Sequence, residues 1–451
     1  MSVLARWCFT HRRIVLVAWI VALLVVSAVS ASVGTGYTDS FKLPGTESTR
    51  ALNLLQGNFK AESGDTDQIV FAGHLRDPAV KARVEATLAK VAKSPHVARV
   101  DDPYAKASGG RQLAPDGKVA FANVHFDGEQ PIADVPKSAY TDVIDIGTAT
   151  RGNGLRVELG GNGIQQAIQQ QGGASEAIGF VAAAIILLVA FGSFFSMLLP
   201  LLTAGIALGV AVQGMGLLAH LIPIATFAPL LGSLIGLGVG IDYALFVVTR
   251  HRNSIKAGRS VEQSCVRALN TAGRAVLFAA ATVIIALLGL LVLGVSFLNG
   301  VAVGAALTVL VVATAALTLL PALLGFFGLK VLSRRERRRL ETLGPRDPKL
   351  EGTWPKIAAL VQQHAKPLLV AALVVMLALA APVTSLRLGS ADAGTDPPSS
   401  TTRKAYDLLA RGFGPGFNGT LQIVARTPRG KGDLPKVAAL AAKLRASRLL
   451  A

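Results

Sequence analysis

The chain has 451 residues, of which 51% are apolar and 16% charged, with 45 Lys+Arg against 27 Asp+Glu and a net charge of +18. A mean hydropathy of +0.50 fits a membrane protein with a sizeable soluble part and excludes an ordinary globular enzyme. The basic clusters flank apolar runs, so the charge reports topology and contact with anionic lipid, and nucleic acid is not an expected partner.

Apolar runs of about 20 residues predict seven spans, at 14–33, 177–196, 198–219, 227–248, 275–296, 299–327 and 367–386. The first follows Arg12 and Arg13 and precedes Ser-Ala-Val-Ser-Ala, so a cleaved signal peptide is an alternative. Its apolar run is long for one, and topology favours retention. Residues 249–274 hold 6 basic against 1 acidic residue, and 330–366 hold 10 against 4. These loops and the basic start are therefore expected to be cytoplasmic. Seven spans then place 34–173 outside, with 15 basic and 16 acidic residues, and also the tail from about 387.

Within 34–173 the chain reads as a helix over 46–59, then strand, helix, strand, strand, helix, strand. The strands are expected at Gln68-Ile-Val-Phe-Ala-Gly-His, Val97-Ala-Arg-Val, Val119-Ala-Phe-Ala-Asn-Val-His-Phe and Leu155-Arg-Val-Glu-Leu. That order predicts a ferredoxin-like βαββαβ unit. The first strand should be central or nearly so, with Ile69 and Phe71 on one face and Val70 on the other.

Asp242 dominates the fourth span. It lies in Gly-Leu-Gly-Val-Gly-Ile-Asp-Tyr-Ala-Leu-Phe, the only charged residue well inside a predicted span. A carboxylate at bilayer depth costs at least ~2.5–3.5 kcal/mol by insertion scales, and a protein that keeps one generally moves protons or ions with it. Desolvation favours the neutral form, which suits a proton carrier. A purely structural Asp bonded to a neighbouring helix is the alternative. Gly232, Gly236 and Gly240 recur on one helical face and, with Gly238, are assigned to a helix-packing seam. Tyr243 is placed on the stripe, and Asp242 one turn past Gly238 at its border. An intramembrane aspartyl protease would need two intramembrane Asp residues, and the predicted spans hold Asp242 alone, preceded by Ile241 where a glycine is needed.

Beyond that span, Ser260 and Gln263 fit a capping box, and Val261, Cys265, Ala268 and Leu269 share a face. A short amphipathic helix near 258–274, lying on the inner leaflet, is expected. Arg334-Arg-Glu-Arg-Arg-Arg should contact anionic lipid. Cys8 and Cys265 are the only cysteines, both on the expected cytoplasmic side, and imply no disulfide framework. The histidines show no metal-ligand spacing, no Walker-type phosphate loop is present, and no cofactor is expected.

The chain also repeats itself. At an offset of 354, residues 51–70 align with 405–424 without a gap, with eight of twenty positions identical, and the first span lands on the seventh. The expected organisation is therefore 1–33 (cytoplasmic start and first span), 34–173 (outer domain), 174–329 (spans two to six), 330–366 (basic cytoplasmic loop), 367–386 (seventh span) and 387–451 (the start of a second outer domain). The second copy is expected to be incomplete, and the chain by itself is not expected to export.

The motif from Gly236 through Asp242 and Tyr243 to Phe246 resembles the signature of the MmpL (mycobacterial membrane protein large) family, in the resistance-nodulation-division superfamily. Ala272-Gly-Arg274, Ala316-Leu-Thr-Leu-Leu-Pro-Ala-Leu-Leu and the order of spans and domains resemble it too. The resemblance implies a twelve-span, multi-pass transporter of the bacterial plasma membrane in which Asp242 and Tyr243 relay protons. It also implies paired outer porter domains that carry lipids or other hydrophobic small molecules outward. Relatives often place hydroxyl residues where Ala275 and Ala279 stand. The expectation is a proton-driven exporter, not an enzyme, for which the resemblance allows a homo-oligomer. A transport-inactive lipid- or sterol-sensing scaffold of the same superfamily is the alternative.

Overall fold

A computed structural model describes residues 1–37, 45–58, 65–105, 110–127, 135–169, 173–345, 353–386, 392–419, 423–428 and 430–446. In chain order the helices α1 (Ser2–Thr10), α2 (Arg12–Val33) and α3 (Glu47–Asn58) come first. Then follow β1 (Thr66–Ala72), α4 (Pro78–Val91), β2 (Val97–Val100), β3 (Val119–Phe126), α5 (Lys137–Ala149), β4 (Arg156–Gly160) and α6 (Asn162–Gln169). The next helices are α7 (Gly173–Phe191), α8 (Phe194–Leu218), α9 (Ala228–Lys256), the short amphipathic α10 (Val261–Ala268), α11 (Arg274–Leu288) and α12 (Ser296–Phe327). The chain continues through α13 (Arg334–Leu343), α14 (Thr353–Gln363), α15 (Ala365–Ala380), α16 (Thr401–Phe413) and α17 (Leu434–Ala446). These elements form two units, Met1–Lys42 with Ser175–Gly389, and Leu43–Ala174 with Ser390–Ala451.

In the first unit, six helices among the described residues are long and apolar enough to cross a membrane. They are Arg12–Val33, Phe194–Leu218, Ala228–Lys256, Val261–Leu293, Ser296–Val331 and Ala365–Ser385. A further apolar stretch, Ile178–Phe191, is shorter. The expected second span therefore ends early, because Gly192 turns to φ +58 and Ser193 is extended ahead of α8. A left-handed residue stops a helix, and glycine reaches that conformation without a Cβ penalty. The centre of the unit is α12, buried along most of its length and packed against α8, α9, α11, α2 and α1.

Ser260 and Gln263 form both halves of the capping box that opens α10. Its apolar face does not look toward lipid. Cys265, Ala268 and Leu269 are buried in the protein core with Ala5 of α1 and Val248 of α9. A π-turn, Leu269–Gly273, then carries the chain into α11 without a break. The separate helix α1 is an element that the span pattern does not reveal. Its Ala5 and Cys8 are fully buried. By contrast, α15 has no buried residue.

The second unit holds an antiparallel sheet in the order β2-β3-β1-β4. β1 is central, pairing Ile69 with Ala122 of β3 and with Leu159 of β4. Alternation divides its side chains: Ile69 and Phe71 join Val84, Leu88 and Val143 of α4 and α5, whereas Val70 faces the opposite way. That opposite face is covered by α16 from the tail, through Ala405, Leu408 and Leu409, with Phe413 and Phe417 edge-on to Phe121. Thr401 Oγ1 ties the two together, donating to Glu158 at 2.8 Å and accepting from the Leu159 amide at 2.8 Å. The start of the expected second outer domain thus packs on the first sheet. Of the repeat, Ala51 and Ala405 both lie on helices (α3 and α16), while Phe59 and Gln422 fall outside the described residues.

Candidate proton-relay site on the fourth span

The site is built on α9, which is 29 residues long and carries Asp242 near its middle. Three of the four expected seam glycines lie in a tight three-helix contact with α8 and α12. A methyl group on Gly232 would stand 2.9 Å from Met215 Cε and 3.1 Å from Thr308 Oγ1. One on Gly236 would meet Thr308 Cγ2 at 2.5 Å and Leu208 Cδ2 at 2.7 Å, and one on Gly240 would meet Val312 Cγ1 at 2.8 Å. No ordinary Cβ fits at such separations, so these glycines set how closely the helices approach. Thr308, which sequence reasoning missed, is fully buried and donates its hydroxyl to the Gly304 carbonyl at 2.9 Å.

Gly238 is different. It has no atom within 4 Å of a would-be Cβ and is exposed. Gly232, Gly236 and Gly240 thus face α8 and α12, whereas the expectation for Gly238 is corrected, because it sits on the opposite, outward side of the helix. Asp242 lies one turn beyond it and is likewise exposed, on a face shared with Phe246. Tyr243, three residues past Gly240, lies on the same side of the helix as the glycine stripe and is half-buried. With Ile235 and Val239, at four-residue spacing, it packs against Ala280 of α11 and Val309 and Ala313 of α12. The pair therefore splits: the carboxylate is presented outward, and the phenol ring is wedged between neighbouring helices.

At the C-terminal end of the same helix the structure shows a polar joint. Arg252 is 4% exposed. Its Nη2 donates to Glu336 Oε2 at 2.7 Å and to the Phe191 carbonyl at 2.8 Å, and its guanidinium lies 4.9 Å from the centre of the Phe191 ring. Lys256 joins Glu336 at 2.5 Å. Glu336 also completes a capping box, its Oε2 accepting from the Ser333 amide at 2.9 Å. Despite partial burial, which opposes ionisation, the Lys256 and Ser333 hydrogen bonds and the Arg252 and Lys256 charges hold its carboxyl down to about 2. The spacing Ser333-x-x-Glu336 was the available sequence signal for this residue.

In the second unit a buried acidic pair sits at the start of the central strand. Asp67 is fully buried and accepts from the Gly163 and Ile164 amides at 3.2 and 3.0 Å, at the start of α6. Asp65 accepts from the Tyr140 hydroxyl at 2.9 Å. Burial raises both carboxyls above their ordinary value, and the Asp65 charge raises Asp67 further. Among the described residues no group of three or more His, Cys, Asp or Glu could hold a metal ion.

The MMPL family model matches residues 40–368. Membrane protein YdfJ of Bacillus subtilis (strain 168) is 32% identical over 431 residues, which cover 94% of this chain and 57% of that protein. The trehalose monomycolate exporter MmpL3 of Mycobacterium tuberculosis (strain ATCC 25618 / H37Rv) is 30% identical over 277 residues, 56% of this chain and 29% of that protein. Among solved structures, SecDF in its super-membrane-facing form aligns with a TM-score of 0.38 at 15% identity, over 74% of this chain and 39% of that chain. The chain thus spans little more than half the length of the first of these relatives. With most of its length matched by the family model and a polytopic helical architecture around the Asp242 motif, the chain belongs to the MMPL family.

Proposed function

We propose that this chain forms part of a proton-driven exporter of lipids or other hydrophobic small molecules, in which Asp242 takes up and releases the transported proton. The observation that carries the reading is the carboxylate itself, exposed near the middle of a membrane-length helix beside a glycine-built seam. An Asp on the outer face of such a bundle is costly against lipid. A second helix bundle, from a second repeat copy or from another copy of the chain, therefore covers that face in the working assembly. Tyr243 fixes the neighbouring backbone through its packing and offers a hydroxyl to the same relay. The lipid reading draws support from relatives named as lipid exporters, MmpL3 and the MmpL11 of Mycolicibacterium smegmatis (strain ATCC 700084 / mc(2)155). It is also supported by an apolar groove of about 470 Å³ lined by Leu23, Phe180, Met197 and Leu201.

In this reading the sheet unit is a ferredoxin-like porter domain outside the plasma membrane, and the first span is retained with a cytoplasmic start. The exposed arginines of α13 lie against anionic lipid. Energy comes from the proton gradient. The test is export of a fluorescent phospholipid from vesicles after a pH jump, in a protein that contains this chain and a second repeat copy. Asp242→Asn, which is isosteric and removes the charge, should keep insertion and abolish pH-driven export. Export without any proton dependence would point to another energy source, and no export at all would leave the scaffold alternative.

A further inference from the structure

The joint at the end of α9 links two helices whose relation matters for any coupled transport. α7 is the helix that the chain enters directly from the sheet unit, following α6 through residues 170–172. α9 carries Asp242. At their C-terminal ends Arg252 of α9 donates to the carbonyl of Phe191, the last residue of α7, and stacks over its ring. The same guanidinium nitrogen is held by Glu336, which Lys256 and the Ser333 amide hold in turn. Four elements (α7, α9, α13 and the turn before α13) meet at one buried cation.

From this geometry we infer that Arg252, locked by Glu336, is a positioning residue that transmits shifts of the Asp242 helix to α7, and so along the chain toward the sheet unit. The inference rests on the relay reading of Asp242. The physical basis is the directionality of the contact. An orphan carbonyl at a helix C-terminus is the natural acceptor for a cation. A buried guanidinium bound to both a carboxylate and that carbonyl cannot follow one helix without pulling on the other. Lysine, with its donors on one compact nitrogen at the end of a flexible stem, has no planar guanidinium to lie over the Phe191 ring while it holds both oxygens. Glu336 stays ionised down to about pH 2, so the joint itself does not titrate over the working range. It passes on a signal generated elsewhere.

The experiment is hydrogen exchange on the 451-residue chain reconstituted in phosphatidylcholine–phosphatidylglycerol vesicles, at pH 5.5 and 7.5, corrected for intrinsic exchange. The readout is the amide protection of the last turn of α7. In the unmodified chain protection there should differ between the two pH values by roughly 5- to 150-fold, the range of ordinary intramolecular coupling. Asp242→Asn should remove the difference. Arg252→Lys and Glu336→Ala should also remove it while α9 around position 242 keeps its own pH response. If Asp242→Asn leaves the α7 difference intact, the relay reading fails and this inference with it. If Asp242→Asn removes the difference but Arg252→Lys and Glu336→Ala both preserve it, the relay stands and the joint is not the transmitter. Absence of any pH response at α7 in the unmodified chain also overturns the joint.

Discussion

Substituting Ala at Gly236 and, separately, at Gly238 gives a controlled pair, because both lie on α9 two residues apart. Replacing glycine by alanine inside a helix gains ~0.8–1.0 kcal/mol of helix propensity at either position. That gain cancels in the comparison, leaving the packing difference. At Gly238 the new methyl meets nothing within 4 Å. At Gly236 it would lie 2.5 Å from Thr308 Cγ2 and 2.7 Å from Leu208 Cδ2. Leu208 can yield by changing rotamer. Thr308 is less free, because it is β-branched and its hydroxyl is bonded to Gly304. Overpacking of this kind costs ~1–3 kcal/mol. Gly236→Ala should therefore unfold ~2–12 °C below Gly238→Ala, taking ~2–4 °C per kcal/mol for a unit of this size. Thermal unfolding of the detergent-solubilised protein, followed by size-exclusion chromatography, reads this directly. Equal melting temperatures, or a lower one for Gly238→Ala, would refute the assignment of the seam to one face of α9.

Other consequences can be checked independently. Burial raises the folded-state carboxyls of Asp65 and Asp67 above their ordinary value of 3.8. The folded protein then binds more protons than the unfolded chain between 3.8 and the raised values, and stability from this pair falls as pH rises through that window. Exchange protection of β1 should accordingly be greater near pH 4.5 than near pH 7, and Asp67→Asn should flatten the slope; a slope of opposite sign contradicts the burial argument. For orientation, an impermeant maleimide applied to intact cells should modify a cysteine replacing exposed Asp116 and spare one replacing exposed Arg339. The native Cys8 and Cys265 should stay silent from either side because both are fully buried, and the reverse pattern would invert the topology. Tyr243→Phe keeps the ring packed against Ala280, Val309 and Ala313 and removes only a hydroxyl. It should lower export by a smaller factor than Asp242→Asn, and an equal loss would make the hydroxyl indispensable.

What could be read from the residues alone follows a physical pattern. Period-two alternation placed Ile69 and Phe71 opposite Val70, because a strand's faces are a local property. The four-residue spacing of Gly232, Gly236 and Gly240 puts them on one helix face for the same reason. Gly238 was misassigned because spacing of two residues puts it nearly across the helix, and only the position of α8 and α12 decides which side is covered. The end of α7 hinged on Gly192, whose left-handed conformation hydropathy does not register. The apolar face of α10 fits lipid and protein equally well by composition. The burial of Cys265 and Ala268 depends on α1, a helix too short for a span search to notice. The joint at Arg252 pairs residues 84 positions apart, a separation at which sequence patterns say nothing about contact. The cover that α16 provides for the sheet is longer-range still.

The proposed exporter depends above all on Asp242 as the proton carrier. The most direct measurement is proton entry into pyranine-loaded proteoliposomes after an external acid pulse, using a protein that contains this chain together with a second repeat copy. Protein-dependent proton entry is expected, and Asp242→Asn should reduce it to the level of empty vesicles while the melting temperature is unchanged or higher. Proton entry that survives Asp242→Asn undiminished would contradict it.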